Sequence, residues 1–451
     1  MPAANPLLNA PILPTIVRMS LPNMAAMLAS SLVAVAETAY VGQLGTAPLA
    51  GMALVFPLVM LQQMLSSGAM GGGVSSAVSR ALGAGNEARA NSLALHACVI
   101  GAVLGLFFTL LLLLFGAPLY RLLGGEGAAL QEALAYSNMV FIGVTFIWVS
   151  NLMISVLRGC GNMVVPSVVM LGTLLAQALL SGALGLGWFG LPRMGMLGVA
   201  LGQVLAFAGA TLFLFAYLRS GRGRLRLVLR GPLQREMFVD ILRVGAMACI
   251  APVQTVLTIL VVTALVARFG TEVLAGYGIG SRLEFLLVPI VFAIGVACIP
   301  LVGMAIGAGQ VERARRGAWT GAVLAGLLLG VLGILVALAP QLWTGLFTKS
   351  PAVLEAAHNY LRWVGPSFGP FGLGLCLYFA SQGSGKVLGP VLAGTARLAV
   401  VAGGGWLLMS HGAEAWTMYA LIALGLVVYG VGSALGVYLT RWGPVAGRAN
   451  Q

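Results

Sequence analysis

GQLGTAPLAG at residues 42–51 returns as ARFGTEVLAG at residues 267–276, an offset of 225 positions. That offset is half of a 451-residue chain. Both copies lead into a long apolar segment ending in Gly-Ala-Gly, at Gly83–Gly85 and at Gly307–Gly309. A third pair, RGCGNMVVP at 158–166 and QGSGKVLGP at 382–390, lies at an offset of 224. Three pairs at nearly one spacing mark an internal duplication, which fixes the architecture before any single motif is interpreted.

Composition says where the duplicated unit lives. Hydrophobic residues make up 60% of the chain and charged residues only 8%. A soluble domain carries roughly a quarter charged residues, so a soluble fold is excluded. Apolar runs recur, each near the roughly 20 residues that cross a bilayer as helix. Twelve helices are expected, near 16–41, 48–80, 91–115, 131–157, 163–186, 194–218, 240–267, 276–306, 315–339, 352–382, 387–409 and 416–440. The fold class is therefore an all-α polytopic membrane protein, with twelve transmembrane helices in two pseudo-symmetric six-helix lobes. Six is even, so both halves enter the membrane in the same orientation and the repeats are parallel. The longest polar break, SGRGRLRLVLRGPLQRE at 220–236, lies at the midpoint. It divides the chain into an N-lobe at 1–218, a cytoplasmic linker at 219–236 and a C-lobe at 237–451.

The formal net charge is +13. Binding nucleic acid requires that charge on one face of a domain, whereas here it sits in short loops, so no nucleic-acid partner is expected. Sixteen Lys and Arg fall on the N-terminal flank, alternate loops and tail, from Arg18 and Arg80 through Arg230 to Arg448. The other loops hold only Arg121, Arg193, Arg268 and Lys349. By the positive-inside rule both termini are cytoplasmic, in a multi-pass protein of the bacterial inner (plasma) membrane. MPAANPLLNAPILPT lacks a positive n-region and is not a cleavable signal. The five cysteines are scattered through apolar segments and are expected as buried thiols. No cofactor or metal is implied, and His96, His358 and His411 show no catalytic spacing.

Glu37 stands out within VAVAETAYVGQLG at 33–45. At offset 225 it maps onto Val262, while Thr38-Ala39 maps onto Thr263-Ala264. The scaffold is duplicated but the carboxylate is not, so the helix does not need it. An acid in hydrocarbon costs several kcal/mol and usually lines a cavity or proton path. The alternative is that Glu37 snorkels outward or caps a neighbour. Glu284 is the other acid placed within a span. Arg282 is two residues away, on a different helix face, so the two do not pair. Glu284 is expected to contact another helix or the outer aqueous face, and it is the secondary candidate should Glu37 be structural.

With Pro22 and Glu37-Thr-Ala-Tyr-Val-Gly-Gln-Leu-Gly-Thr in helix 1, the repeated Gly-Ala-Gly ends and Arg158-Gly-Cys-Gly-Asn, nearly the whole chain resembles a multidrug and toxic compound extrusion (MATE) transporter. The resemblance implies two six-helix lobes around a central cavity and export of organic, often cationic, compounds in exchange for protons or sodium. It also implies that the helix 1 acid is a main coupling residue. The family usually has Asp there. One branch carries Asn-x-x-x-Asp on helix 5 and a Thr on helix 6; the corresponding residues here are Gln177, Ser181 and Gln203. Gln177 and Ser181 are four apart and share a face. Together with Glu37 and Gln203 they form an expected polar pocket, unless each is satisfied separately by backbone. Another branch places acids on helices 7 and 10, where this chain has Gln254-Thr255 and an uncharged GLGLCLYFASQG. One carboxylate among amides suits a proton better than sodium. Pro22 removes a backbone hydrogen bond, permitting either a kink that moves or a static one.

The expected function is thus a secondary antiporter exporting small organic compounds, with a small-molecule substrate and the bilayer as partners. The internal duplication lets a monomer suffice. The alternative is a lipid-linked glycan flippase of the same superfamily. It ranks lower because only Arg282 and Arg397 are basic well inside spans. An enzyme would need clustered His, Asp, Ser or Cys near a bilayer face, and none is seen.

Overall fold

The repeated glycines fold alike. The computed structural model describes residues 6–228 and 231–443; the expected inner-side charges Arg230 and Arg448 lie outside them. Gly45 and Gly270, the glycines of the two Gly-Thr motifs, take φ of 131° and 105°. Gly85 and Gly309, which close the two Gly-Ala-Gly motifs, both take φ of 74°. A side chain would be strained at all four, so the duplicated motifs are duplicated turns.

Between the turns the apolar runs form helices. These are α1 (Ile12–Leu44), α2 (Thr46–Gly83), α3 (Glu87–Leu122), α4 (Gly127–Ile142), α5 (Val144–Gly159), α6 (Val164–Leu186) and α7 (Gly195–Ser220). The second half supplies α8 (Arg235–Ala267), α9 (Thr271–Gly307), α10 (Val311–Leu338), α11 (Pro351–Val364), α12 (Phe368–Ser384), α13 (Leu388–Ser410) and α14 (Ala415–Leu439). Among the described residues, ten helices are long and apolar enough to cross a membrane. The pair α4 and α5, bent by 48°, makes an eleventh span. The bend falls at Gly143, where a side chain would collide with Val204.

The remaining expected helix, at 352–382, is present in two shorter pieces, for a local reason. The run expected as one helix at 352–382 is broken by a 3-10 turn at Gly365–Ser367. Pro366 has no N–H to return to the preceding turn. A Cβ on Gly365 would lie 2.5 Å from the Gly333 carbonyl oxygen. The break therefore brings α11–α12 against α10.

The chain forms two compact units, Leu21–Gly245 (the N-unit) and Met1–Ser20 with Ala246–Gln451 (the C-unit). These bounds differ from those set by loop composition, because α1 and α8 each belong to both units. The two cuts, after Ser20 and after Gly245, are themselves 225 positions apart. In the C-unit, Ile16 is fully buried in the core with Leu301, Ala322 and Leu329. Arg313 donates to the carbonyls of Leu7 at 3.0 Å and Ala10 at 2.5 Å. In the N-unit, Asp240 accepts from Arg80 at 2.6 Å and from Arg89 at 3.0 Å. Arg89 and Arg313 are repeat counterparts, 224 apart. The segment expected as a linker is folded against the N-unit: Leu225 and Leu227 are buried, Arg226 N donates to Asn91 at 2.8 Å, and Gln234 N donates to His96 Nε2 at 2.8 Å. The cysteine expectation is also corrected. Cys298 and Cys376 are buried, but Cys98, Cys160 and Cys249 are only partly so.

Asp240 is the only aspartate in the chain and pairs with two arginines at once, one through each oxygen. Asp240→Asn keeps the shape and leaves Arg80 and Arg89 facing each other. The expected loss is about 1–2 kcal/mol. It is read as a lower melting temperature of the detergent-solubilised protein, with the difference shrinking at high salt.

Candidate functional site

The best-built polar cluster is in the N-unit, and small residues make room for it. GVALG at 198–202 presents Gly198 and Gly202 on one face of α7. A Cβ on Gly202 would lie 2.6 Å from Ser181 Cα and 2.7 Å from Leu180 C. One on Gly198 would lie 2.8 Å from Gly185 N. The backbones of α6 and α7 therefore touch, and Ser181 and Gln203 are fixed at their contact.

Glu37 of α1 enters this contact and is buried, with 7% of its surface exposed. Gln177 Nε2 donates to Glu37 Oε1 at 2.8 Å. Ser181 Oγ lies 3.2 Å from the same oxygen and 2.9 Å from the Val199 carbonyl. A serine hydroxyl has one proton, so it serves one of these acceptors at a time. With Glu37 ionised, Gln177 and Ser181 both donate to it. With Glu37 protonated, Ser181 is free to donate to the Val199 carbonyl instead. Among the described residues no cation lies within ion-pair distance of Glu37.

Three of the four expected pocket residues thus converge. Gln203 does not bond Glu37; its Oε1 accepts from the Tyr136 hydroxyl at 3.3 Å. Tyr136 was not singled out from the sequence, because a tyrosine in an apolar helix looks ordinary. Its repeat counterpart, 224 positions on, is Tyr360. Comparing the halves for matched polar residues finds it. Pro22 sits inside α1, which continues through it as helix. Next to it, Asn23 accepts from the buried Arg158 at 2.9 Å.

The C-unit lacks a copy of the Glu37 cluster. The counterparts of Glu37, Gln177 and Ser181 are Val262, Val401 and Gly405, the two valines belonging to the apolar core. Glu284 instead lies on α9, half-buried, and accepts from the Tyr360 hydroxyl. Arg282 points elsewhere, over the Phe347 ring at 5.6 Å. Gln254 spends its amide on Thr395 at 2.7 Å.

Known proteins resemble this chain over most of its length. Residues 22–181 and 248–403 match the model of the MatE family. The chain is 28% identical to the FAD transporter of Shewanella oneidensis, over 83% of this chain and 82% of that protein. It is 27% identical to the probable multidrug resistance protein NorM of Thermotoga maritima, over 84% and 81% of the two chains. Among solved structures it resembles an outward-facing multidrug resistance MATE family transporter of the MOP superfamily, with TM-score 0.86, 23% identity and 96% of each chain covered.

Proposed function

Because the chain belongs to the MatE family, we propose that it is a secondary active antiporter of the bacterial inner membrane. It exports small organic compounds of multidrug type, cationic ones among them, in exchange for protons. Glu37 is the coupling acid, and both termini face the cytoplasm as the loop charges imply.

One observation carries this reading. A carboxylate within an apolar helix is held only by neutral donors, Gln177 and Ser181. A stable ion pair would fix its charge; neutral donors leave protonation reversible. The same donors argue against sodium. Hard cations are held by several oxygen ligands, whereas here an amide N–H and a hydroxyl proton point at the single acid. The exchange then follows from charge. Ionised Glu37 offsets a cationic substrate. Proton binding cancels that charge, returns Ser181 to the Val199 carbonyl and releases the substrate.

The test is efflux of rhodamine 6G from proteoliposomes under an imposed pH gradient or an imposed sodium gradient. Proton coupling predicts efflux with the pH gradient alone. Efflux driven only by sodium overturns the proton assignment, and no gradient-driven efflux overturns the antiporter.

A further inference from the structure

Arg397 lies near the middle of α13, half-buried in the C-unit. Its stem packs beside Gly425 of α14, whose Cβ would stand 3.6 Å from Arg397 Cγ. Its guanidinium lies 5.6 Å from the centroid of the Phe371 ring on α12. Phe371 in turn leans on Tyr429, with ring centroids 5.9 Å apart. Glu284, Tyr360 and Tyr277 are within electrostatic reach of it. Yet among the described residues no carboxylate lies within 4.0 Å of Arg397, and its guanidinium donates no hydrogen bond. Glu284 accepts from Tyr360 instead.

This arrangement is costly unless something uses it. A guanidinium carries five donors, stays charged and fits carboxylate or phosphate oxygens in a two-pronged fashion. Without a direct partner at mid-span it is costly to hold. The scaffold does not require it, since the repeat counterpart of Arg397 is Thr173, whose hydroxyl bonds its own helix at Val169, 2.8 Å away. A second orphan lies in the same cluster. Tyr419, only 2% exposed, has a hydroxyl with no partner. Its ring meets Tyr360 edge-on at 5.5 Å.

We propose that Arg397, with Phe371 and Tyr429 beside it, is a subsite for the anionic group of an aromatic substrate, a carboxylate or phosphate held by the guanidinium with the ring system against these aromatic side chains. The proposal rests on the antiporter reading and extends its substrate class beyond cations. The two units then divide the charges: Glu37 in the N-unit offsets a cation, and Arg397 in the C-unit receives an anion. Glu284 acts as a nearby negative charge that weakens the anion's hold, so neutralising it strengthens binding.

Two dyes with one xanthene skeleton and opposite charge test this, carboxyfluorescein and rhodamine 6G. The full-length protein is assayed in detergent for binding and in proteoliposomes for gradient-driven transport. The expected result is that wild type binds and moves carboxyfluorescein. Arg397→Gln lowers the ratio of carboxyfluorescein to rhodamine 6G affinity at least tenfold. Arg397→Lys, which keeps the charge but not the fork, restores part of the ratio. Glu284→Gln moves the ratio the other way. The proposal is overturned if wild type does not bind carboxyfluorescein, or if Arg397→Gln leaves the ratio unchanged. It is overturned equally if Arg397→Gln loses both dyes together and Arg397→Gln with Glu284→Gln recovers them, for Arg397 then balances Glu284 internally. Failure of rhodamine 6G to move under any gradient sinks the antiporter reading instead, and carboxyfluorescein binding in detergent still reports on Arg397.

Discussion

Glu37→Gln is expected to abolish pH-driven efflux of rhodamine 6G while the protein still folds. The amide oxygen of Gln can accept from Gln177, now 2.8 Å from Glu37 Oε1, and from Ser181. The hydrogen-bond framework survives, at a cost of about 1 kcal/mol. What is lost is the proton. An amide does not titrate in this range, so Ser181 has no reason to leave or regain the Val199 carbonyl as pH changes. Wild-type transport rises as the gradient steepens; the variant's is flat. Glu37→Asp is the companion. It keeps the titrating group but withdraws it by one methylene, and it should retain coupling at a reduced rate. A Glu37→Gln protein that pumps against a pH gradient as well as wild type would falsify the assignment.

Gly202→Val is expected to remove transport by a different route. A Cβ at Gly202 falls 2.6 Å from Ser181 Cα and 2.7 Å from Leu180 C, and these are backbone neighbours that cannot rotate away. The helices α6 and α7 must separate, carrying Ser181 and Gln177 away from Glu37. Overpacking of this kind costs about 1–3 kcal/mol, sometimes more. Both the melting temperature in detergent and gradient-driven efflux should fall. Gly209→Ala on the same helix is the control, since a Cβ there meets nothing within 4 Å. If Gly202→Val transports normally, the close approach of α6 and α7 does not set the site.

How much of this was legible depended on the kind of signal. The duplication was legible because Gly45 and Gly270 of the Gly-Thr motifs, and Gly85 and Gly309 closing the Gly-Ala-Gly motifs, occupy backbone regions few residues enter. Glu37 was legible because an acid in an apolar span is rare. Gln177 and Ser181 followed from their four-residue spacing. Gln203 was expected in the same pocket and bonds Tyr136 of α4 rather than Glu37, a choice that its own helix does not set. Tyr136 and Tyr360 carried no compositional signal. The break at Gly365–Ser367 was missed because an apolar run gives no sign of a backbone stop beyond Gly-Pro. The unit boundaries were missed for a related reason. Loop charge marks where the chain leaves the membrane, whereas packing decides which helix turn belongs to which core.

That sharing of α1 and α8 bears on the order in which the protein is made. The bonds from Arg313 to Leu7 and Ala10 span 306 and 303 residues. Residues 21–245 form one compact unit, complete in sequence once α8 has begun to emerge. Ile16, just before them, packs with residues of the second half. At roughly 5–20 residues per second of synthesis, the first turns of α1 wait about 15–60 s for the C-unit residues they pack against. Ile16, fully buried at the end of folding, stays unpacked through that interval. Residues 12–20 are therefore made well before the core they join and pack only once it exists. A deletion there would register as a fault in the half of the protein encoded farthest from it.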